Sequence, residues 1–435
     1  MAARVAVIGG GYAGLACAAE LASGGCAPTL FEASRSLGGR ARALRFDELT
    51  VDNGAHILIG AYRECLRLMA MVGAPQGLRR SPLHLEIPGV MRLRAPRLPA
   101  PWRMAAALLT ARGLDVGDKL AALQFMRRLQ RCSFRLKADL SVDDLLCAWR
   151  QPQRLRRLLW RPLCLAALNT PAAMASAQIF LNVLRDSLAA AGEASDLLLP
   201  TTDFSSLFPE PAARFVAARE GRIVRSARVS EVLRQNGAWC VRRLQGSEVF
   251  DQVVLATAPQ HMSRLIAADA ALAPLRQCVA AFTWQPVVTC YLACAPQGRL
   301  PAAMLGCLDG PAQWLFDRGR LCGQDGLIAA VISGDGDHLQ LPAAALAQRI
   351  HAQATALAPA LGALRQHLVV TEKRAAFAAT PNLQRPPAAA APGLWLAGDY
   401  VAGDYPATLE GAVRSGVAAA RAILAENQAA SARRQ

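Results

Sequence analysis

The chain has 435 residues, 53% of them apolar, and a formal net charge of +16. That length exceeds what a single hydrophobic core usually organises, so two domains are expected. The longest uncharged run, Pro162 to Leu184, holds two prolines, two asparagines, a glutamine, a serine and a threonine, which excludes it as a membrane-spanning helix. The twelve cysteines are scattered through mainly apolar runs with no C-x-x-C and no Cys/His cluster. This excludes a disulfide framework or a metal site and suits buried thiols in a reducing cytoplasm.

The first element is Arg4 to Ile8, an apolar, β-branched run that reads as a buried parallel strand. Gly9, Gly11 and Gly14 follow as G-x-G-x-x-G, opening a helix to about Ser23. Gly9 permits the tight turn, Gly11 lets backbone approach a pyrophosphate, and Gly14 lets helix and strand pack closely. The helix N-terminus favours the diphosphate charge. Glu20, inside this stretch, and the lack of a basic lead argue against a secretory signal. After Gly24-Gly25, Thr29 to Glu32 reads as the second strand, with Glu32 placed to accept hydrogen bonds from a ribose.

The next stretch departs from an ordinary nicotinamide-binding unit. Glu32 is followed by Ala33-Ser34-Arg35-Ser36-Leu37-Gly38-Gly39-Arg40. Gly38-Gly39 offers further backbone donors, and Arg40 can pair with a diphosphate or lie beside a ring system. Arg35 suits a 2′-phosphate, but Glu32 would repel one. Val51 to His56 supplies a second glycine loop, Gly54-Ala55-His56, able to lie against a planar cofactor.

From Arg79 to Arg161 there are 18 Lys/Arg against 6 Asp/Glu, a surplus of 12 positive charges. Basic residues alternate here with Leu, Met, Trp and Phe, including Trp102, Met104, Leu108, Leu109, Phe125 and Met126, as on a surface that meets anionic lipid. No nucleic-acid fold signature accompanies the patch; a solvated helical face is the competing reading. Residues 100–195 read as several helices with breaks at Gly113, Pro152, Pro162 and Pro171.

Strands are expected at Phe215–Ala217, Val229–Arg234, Ala238–Leu244 and Val253–Thr257, with Asn236-Gly237 turning the middle pair. Further apolar runs lie at Val287–Leu292 and Leu327–Ser333. At the far end Leu396-Ala397-Gly398-Asp399 sets an acid after a strand, and Pro406 to Ala412 starts a helix whose N-terminus can stabilise negative charge on a reduced ring. The tail after Glu426 reads as disordered. The order implies a nucleotide-binding domain of separated segments, 1–78, 200–260 and 370–426. A substrate domain at 79–199 and 261–369 interrupts it and carries the basic helical segment 79–161; residues 427–435 form the tail.

The stretches VIGGGYAGL, EASRSLGGRA, DNGAH, EKRAAFAATP and LAGDY…PATLEGAVRSG together resemble the FAD-dependent amine oxidase and carotenoid desaturase superfamily. Within it they are most similar to the squalene-associated branch, the hydroxysqualene dehydroxylases. The resemblance covers nearly the whole chain. It implies an α/β fold: a Rossmann-like FAD-binding domain of the GR2-type, amine oxidase-like kind, an inserted mixed α+β substrate domain, and a helical membrane-facing segment. Carried over by position, it assigns Gly9, Gly11, Ala13 and Gly14 to the FAD pyrophosphate, and Glu32, with Ala33 beside it, to the adenosine ribose. Gly39 and Arg40 fall beside the cofactor, as do Gly54, Ala55 and His56. Val229, in GRIVRSARV, matches the position that brackets adenine. Gly398 and Asp399 fall near the pyrophosphate and ribityl chain, and Glu410 to Ala412 near the flavin pyrimidine edge. No cysteine for covalent attachment stands in the C-terminal motif, so the resemblance implies non-covalent FAD. Lys373 has no assignable flavin role.

The implied reaction is reductive removal of the hydroxyl of hydroxysqualene, a long isoprenoid, in squalene and hopanoid biosynthesis, with hydride from reduced flavin N5 reaching an allylic cation. An acid must protonate the leaving oxygen in a dry site. His56, Asp404 and Tyr405 are the candidates, although His56 can simply hydrogen-bond its own loop and Asp404 can cap the C-terminal helix region. An oxidative isoprenoid desaturase or other flavin oxidase is the alternative enzyme, and a non-enzymatic isoprenoid-binding escort the contrasting class. The expected location is cytoplasmic, peripheral to the inner face of the cell membrane. No second dinucleotide motif identifies the electron donor.

Overall fold

The computed structural model describes residues 3–99, 102–190 and 193–432. Val5–Ile8 (β1) is buried at every position. It pairs in parallel with Thr29–Phe31 (β2) on one side and Gln252–Leu255 on the other. Arg222–Val224 continues the sheet beyond β2, while Leu394–Leu396 and then antiparallel Ala389–Ala391 continue it beyond Gln252–Leu255. The continuous apolar runs of the central strands suit a sheet covered on both faces. Register places Ile8, Phe31, Val224, Leu255 and Leu396 in one row. Segments from both ends and the middle of the chain therefore stop at one sheet edge, the edge where open parallel sheets bind ligands.

Helix Tyr12–Ser23 (α1) packs against the C-terminal helix Leu409–Ala432 so closely that a Cβ on Gly416 would lie 2.1 Å from the Ala13 carbonyl oxygen. The C-terminal helix runs through Ala432, and Gln252 donates hydrogen bonds to Glu426 and Asn427. The expected disordered tail is thus helical as far as Ala432, because this contact extends the packed helix past Glu426; residues 433–435 lie outside the described residues.

A second sheet is antiparallel, in the order Met304–Gly306, Trp314–Asp317, Leu327–Ser333, Trp284–Ala293, Gln366–Phe377. The period of two in the central strand divides its residues. Val288, Cys290 and Leu292 pack with Leu346 and Ile350 of the helix Ala343–Leu357, whereas Thr289 and Tyr291 turn toward the Asp52–His56 loop. Since Gln366–Phe377 pairs with this strand, residues 370–377 belong to the second sheet, not to the nucleotide-binding one.

Several local expectations are corrected. Phe215–Ala217 is the end of a helix, Pro209–Ala217, not a strand. A short apolar run carries no periodicity of its own, and here Ala212, Ala213 and Val216 bury one helical face. Pro162 does not break its helix: helical backbone runs on from the π turn at Arg156–Trp160 into Arg161–Leu168, and the irregular turn before the proline accommodates its missing donor. The basic segment begins as strands, Leu78–Ser81, His84–Ile87 and Met91–Arg94, before turning helical. Its leading helices are Trp102–Leu109 and Val116–Arg131; an earlier helix, Arg63–Met71 (α2), precedes the strands. Below, Trp102–Leu109 is α3 and Val116–Arg131 is α4. Among the described residues no helix is long and apolar enough to cross a membrane.

Candidate functional site

The glycine turn after β1 is built as its spacing demands. Gly9 has φ +115°, and a Cβ there would lie 2.5 Å from the Ala256 carbonyl oxygen. A Cβ on Gly14 would lie 2.0 Å from the Gly9 oxygen, so α1 meets the strand end only through glycine. Gly11 differs: its nearest neighbour on that side is the Cα of Gly39, 3.9 Å away, leaving space over the start of α1. That start has no side-chain cap and no acid in its first turn, the setting in which a helix N-terminus takes an anion. The Gly38 N–H donates to the Gly10 carbonyl at 2.8 Å and fixes the second glycine turn against the first.

Glu32 stands directly beyond β2. Its carboxylate accepts from the Gly10 N–H and the Ser34 N–H, both at 2.7 Å, which orients it across the glycine loop. Ala33 beside it is exposed and Ala13, inside α1, is buried. Ala227 N–H donates to the Glu32 carbonyl at 2.8 Å, and Ser226 N–H to that of Ser34, so the chain approaching Val229 runs beside this acid. Val229 itself opens a strand of a small antiparallel sheet and is buried.

Arg40 reaches across the molecule. One of its nitrogens donates to the carboxylate of Asp399 at 2.7 Å and another to the Ala375 carbonyl. Gly398, just before the acid, is held by its N–H donating to Ser415 Oγ at 3.1 Å. The loop after Asp399 is organised by a residue that sequence reasoning missed. Arg385 donates to the carbonyls of Asp399, Tyr400, Val401, Gly403 and Tyr405 and lies over the Phe377 ring. Burial pulls its pKa down to about 10. Its partners are backbone carbonyls 14 to 20 positions away, so no local motif marks it.

The Asp52–His56 loop is fastened from both sides. Asn53 donates to the Arg40 carbonyl at 3.2 Å, Tyr291 Oη donates to the Asp52 carbonyl at 2.8 Å, and the Ala55 N–H reaches Thr289 Oγ1 at 3.3 Å. Asp52 is 1% exposed; burial raises its pKa to about 6 despite the Phe204 N–H it accepts and Arg318 at 3.6 Å. His56 lies beside Gly54 with its ring 5.1 Å from that of Phe204. Its Nδ1 is 2.7 Å from the Gly54 carbonyl, which can only accept, so Nδ1 carries the proton. Burial lowers the His56 pKa, with Arg40 adding to the effect. The neutral ring thus keeps Nε2 as its acceptor.

Asp404 and Tyr405 are each engaged by another side chain. The Asp404 carboxylate is largely exposed and pairs with Arg185 at 3.5 Å. Tyr405 donates to Asp186 at 2.8 Å, with Arg414 over its ring; burial and that hydrogen bond raise its pKa. Glu410 is fully buried, and its carboxylate accepts from the N–H groups of Glu64 and Cys65 at the start of α2 and from Arg414. Its side chain thus holds α2 to the C-terminal helix, while the N–H groups of Gly411 and Ala412 donate to Thr408 Oγ1 and to the Thr408 carbonyl. Ala412 is buried.

Two buried hydroxyls near the sheet edge, Thr257 Oγ1 and Tyr400 Oη, have no hydrogen-bond partner among the described residues. Orphaned polar atoms at a ligand-binding edge, with the space over Gly11, fit a bound dinucleotide. All twelve cysteines are free, and the described residues hold no group able to bind a metal ion.

A parallel sheet ending in an open glycine cradle, an acid after its second strand and an Arg–Asp tie to the far terminus define a dinucleotide-binding oxidoreductase fold. The chain belongs to the family described as flavin containing amine oxidoreductase, which matches residues 12–424, and it is a flavin-dependent enzyme. It is 30% identical to a hydroxysqualene dehydroxylase of Rhodopseudomonas palustris over 99% of this chain and 100% of that one. It is 29% identical to that of Sinorhizobium fredii over 98% and 99%. In fold it is similar to cyclohexylamine oxidase from Brevibacterium oxydans, with TM-score 0.67, 16% identity and coverage of 98% and 100%.

Proposed function

We propose that this chain is an FAD-dependent hydroxysqualene dehydroxylase that binds its FAD without a covalent link. The observation that carries the reading is the end-to-end similarity to enzymes of that name, over 98% and 99% of this chain. Gly9, Gly11, Ala13 and Gly14 would hold the pyrophosphate, Glu32 and Ala33 the ribose, and Val229 the adenine. Gly39, Arg40, Gly54, Ala55 and His56 would flank the ring system, Gly398 and Asp399 the ribityl chain, and the segment Glu410 to Ala412 the pyrimidine edge.

Exchanging an allylic C–O bond for C–H with loss of water consumes one hydride and one proton. When bound, reduced flavin supplies the hydride. The chain must supply the proton and exclude water. Of the three candidate acids, His56 is the one on the glycine loop beside the proposed cofactor site; Asp404 is engaged at the surface by Arg185 and Tyr405 by Asp186. In this reading His56 takes up a proton at Nε2 and passes it to the departing hydroxyl, while its Nδ1–H stays on Gly54.

An insoluble substrate implies a meeting with lipid, and the basic segment supports an anionic membrane surface on the cytoplasmic side as the partner. The test is product analysis. Anaerobic protein with photoreduced FAD, given hydroxysqualene, yields squalene; flavin reduction by squalene or a carotene precursor without dehydroxylation makes the enzyme a desaturase instead. Release of all flavin on denaturation checks the non-covalent link, and a colourless protein that takes up no flavin points to the escort.

A further inference from the structure

Helix α3 is apolar on opposite sides. Met104 and Leu108, one turn apart, pack inward with Leu83, Leu85 and Trp160 around a small apolar void of about 10 Å³. Trp102 and Leu109, two turns apart and so on one face, are 68% and 54% exposed. Between the two faces Arg103 is buried in an ion pair with Asp196, which fixes the helix in this orientation.

The exposed face of α3 is not isolated. Val116 and Leu120, one turn apart at the start of α4, are 73% and 51% exposed, and Val90 and Leu98 are exposed as well. Backbone contacts hold several of these together. Arg92 and Arg112 exchange backbone hydrogen bonds, a Cβ on Gly113 would lie 1.9 Å from the Val90 carbonyl oxygen, and Lys119 Nζ donates to the Leu109 carbonyl at 2.8 Å. Exposed arginines rim this surface: Arg94, Arg97 and Arg112, none in an ion pair among the described residues. The nearby acids are few. Glu86 is taken by Arg92 and His84, Asp118 is buried in the cap of α4, and the exposed Asp115 that caps the same helix lies 3.9 Å from Arg154. Large apolar side chains in a ring of unpaired cations match one partner, an anionic bilayer: the cations meet headgroups and the apolar tips enter the acyl boundary.

We infer that the outward face of α3, with the turn into α4, is the membrane-docking element. This sharpens the basic segment considerably. Leu108, Phe125 and Met126 face inward and are buried, Arg103 is committed to Asp196, and Arg92 is paired with Glu86. Docking rests instead on Trp102, Leu109, Val116 and Leu120 with Arg94, Arg97, Arg112 and Lys119. The inference deepens the lipid-substrate reading, but its test needs neither flavin nor substrate, so either can fail without the other.

The test is co-sedimentation of the full chain with vesicles of phosphatidylcholine containing about one-third phosphatidylglycerol. Wild type pellets, and Trp102→Glu/Leu109→Glu weakens binding at least tenfold, a loss expected from placing two charges in the acyl boundary. Because both side chains are exposed, fold is checked by circular dichroism and thermal unfolding. Trp102→Phe pellets like wild type but loses the fluorescence quenching caused by brominated acyl chains. Wild type remaining in the supernatant overturns the inference, as does a double variant that pellets like wild type. A double variant that turns a dimer into a monomer on sizing without changing vesicle binding also overturns it, by showing that a second copy of the chain covers this face.

Discussion

The guanidinium of Arg40 lies 2.7 Å from the carboxylate of Asp399, a residue 359 positions later, and ties the second glycine turn to the C-terminal loop. Asp399 is 5% exposed, so removing Arg40 would leave a buried charge unpaired. Arg40→Met should lower stability and flavin retention, and Asp399→Asn added to it should recover part of the loss. A double-mutant cycle on thermal unfolding should give a coupling of about 1–3 kcal/mol; additive single effects would mean the pair closes nothing.

Glu32 already accepts two backbone N–H groups, so its carboxylate both shapes the glycine loop and awaits the ribose. Glu32→Ala should weaken FAD binding by roughly 1–3 kcal/mol, the range for a lost hydrogen bond to a charged group. Flavin titration of the apoprotein measures it. Unchanged affinity would move the ribose away from this acid.

Arg385 stitches five carbonyls of the Asp399–Tyr405 loop. Arg385→Met should leave those acceptors unsatisfied, and limited proteolysis should then cut within 399–405 before any other site. Arg385→Lys, a point donor without the planar fork, should restore only part of the protection.

Asp52 gives a pH signature. Its folded pKa, raised by burial to about 6, exceeds the unfolded value near 3.9, so the folded state holds the proton more tightly. Stability contributed by the neutral carboxyl is therefore present below about pH 4 and lost as pH rises to about 6, by up to ~3 kcal/mol. Asp52→Asn should remove that fall, so its stability relative to wild type should grow between pH 4 and 7 in denaturant titrations. Parallel curves for the two proteins would contradict this.

Much of the nucleotide-binding edge was legible because it is local. Strand, glycines, helix and acid follow one another within 32 residues, and the φ of Gly9 and the approach of Gly14 to the Gly9 carbonyl are settled within that turn. The roles of Arg385 and Glu410 were not legible, since their partners are backbone groups brought near only by folding. The basic segment was legible as charge and apolarity but not as faces. Phe125 and Met126 read like Trp102 until helix packing turns the first two inward. Pro209–Ala217 misled for the same reason: the apolar end of a helix and a short buried strand share a composition.

The most direct measurement of the central claim is single-turnover product analysis under anaerobic conditions, with hydroxysqualene and protein whose FAD has been photoreduced. Squalene should form in proportion to the flavin reoxidised, and His56→Gln, which can keep the hydrogen bond to Gly54, should slow the step and flatten its rise toward low pH. Reduced flavin that persists beside unconsumed hydroxysqualene would contradict the account.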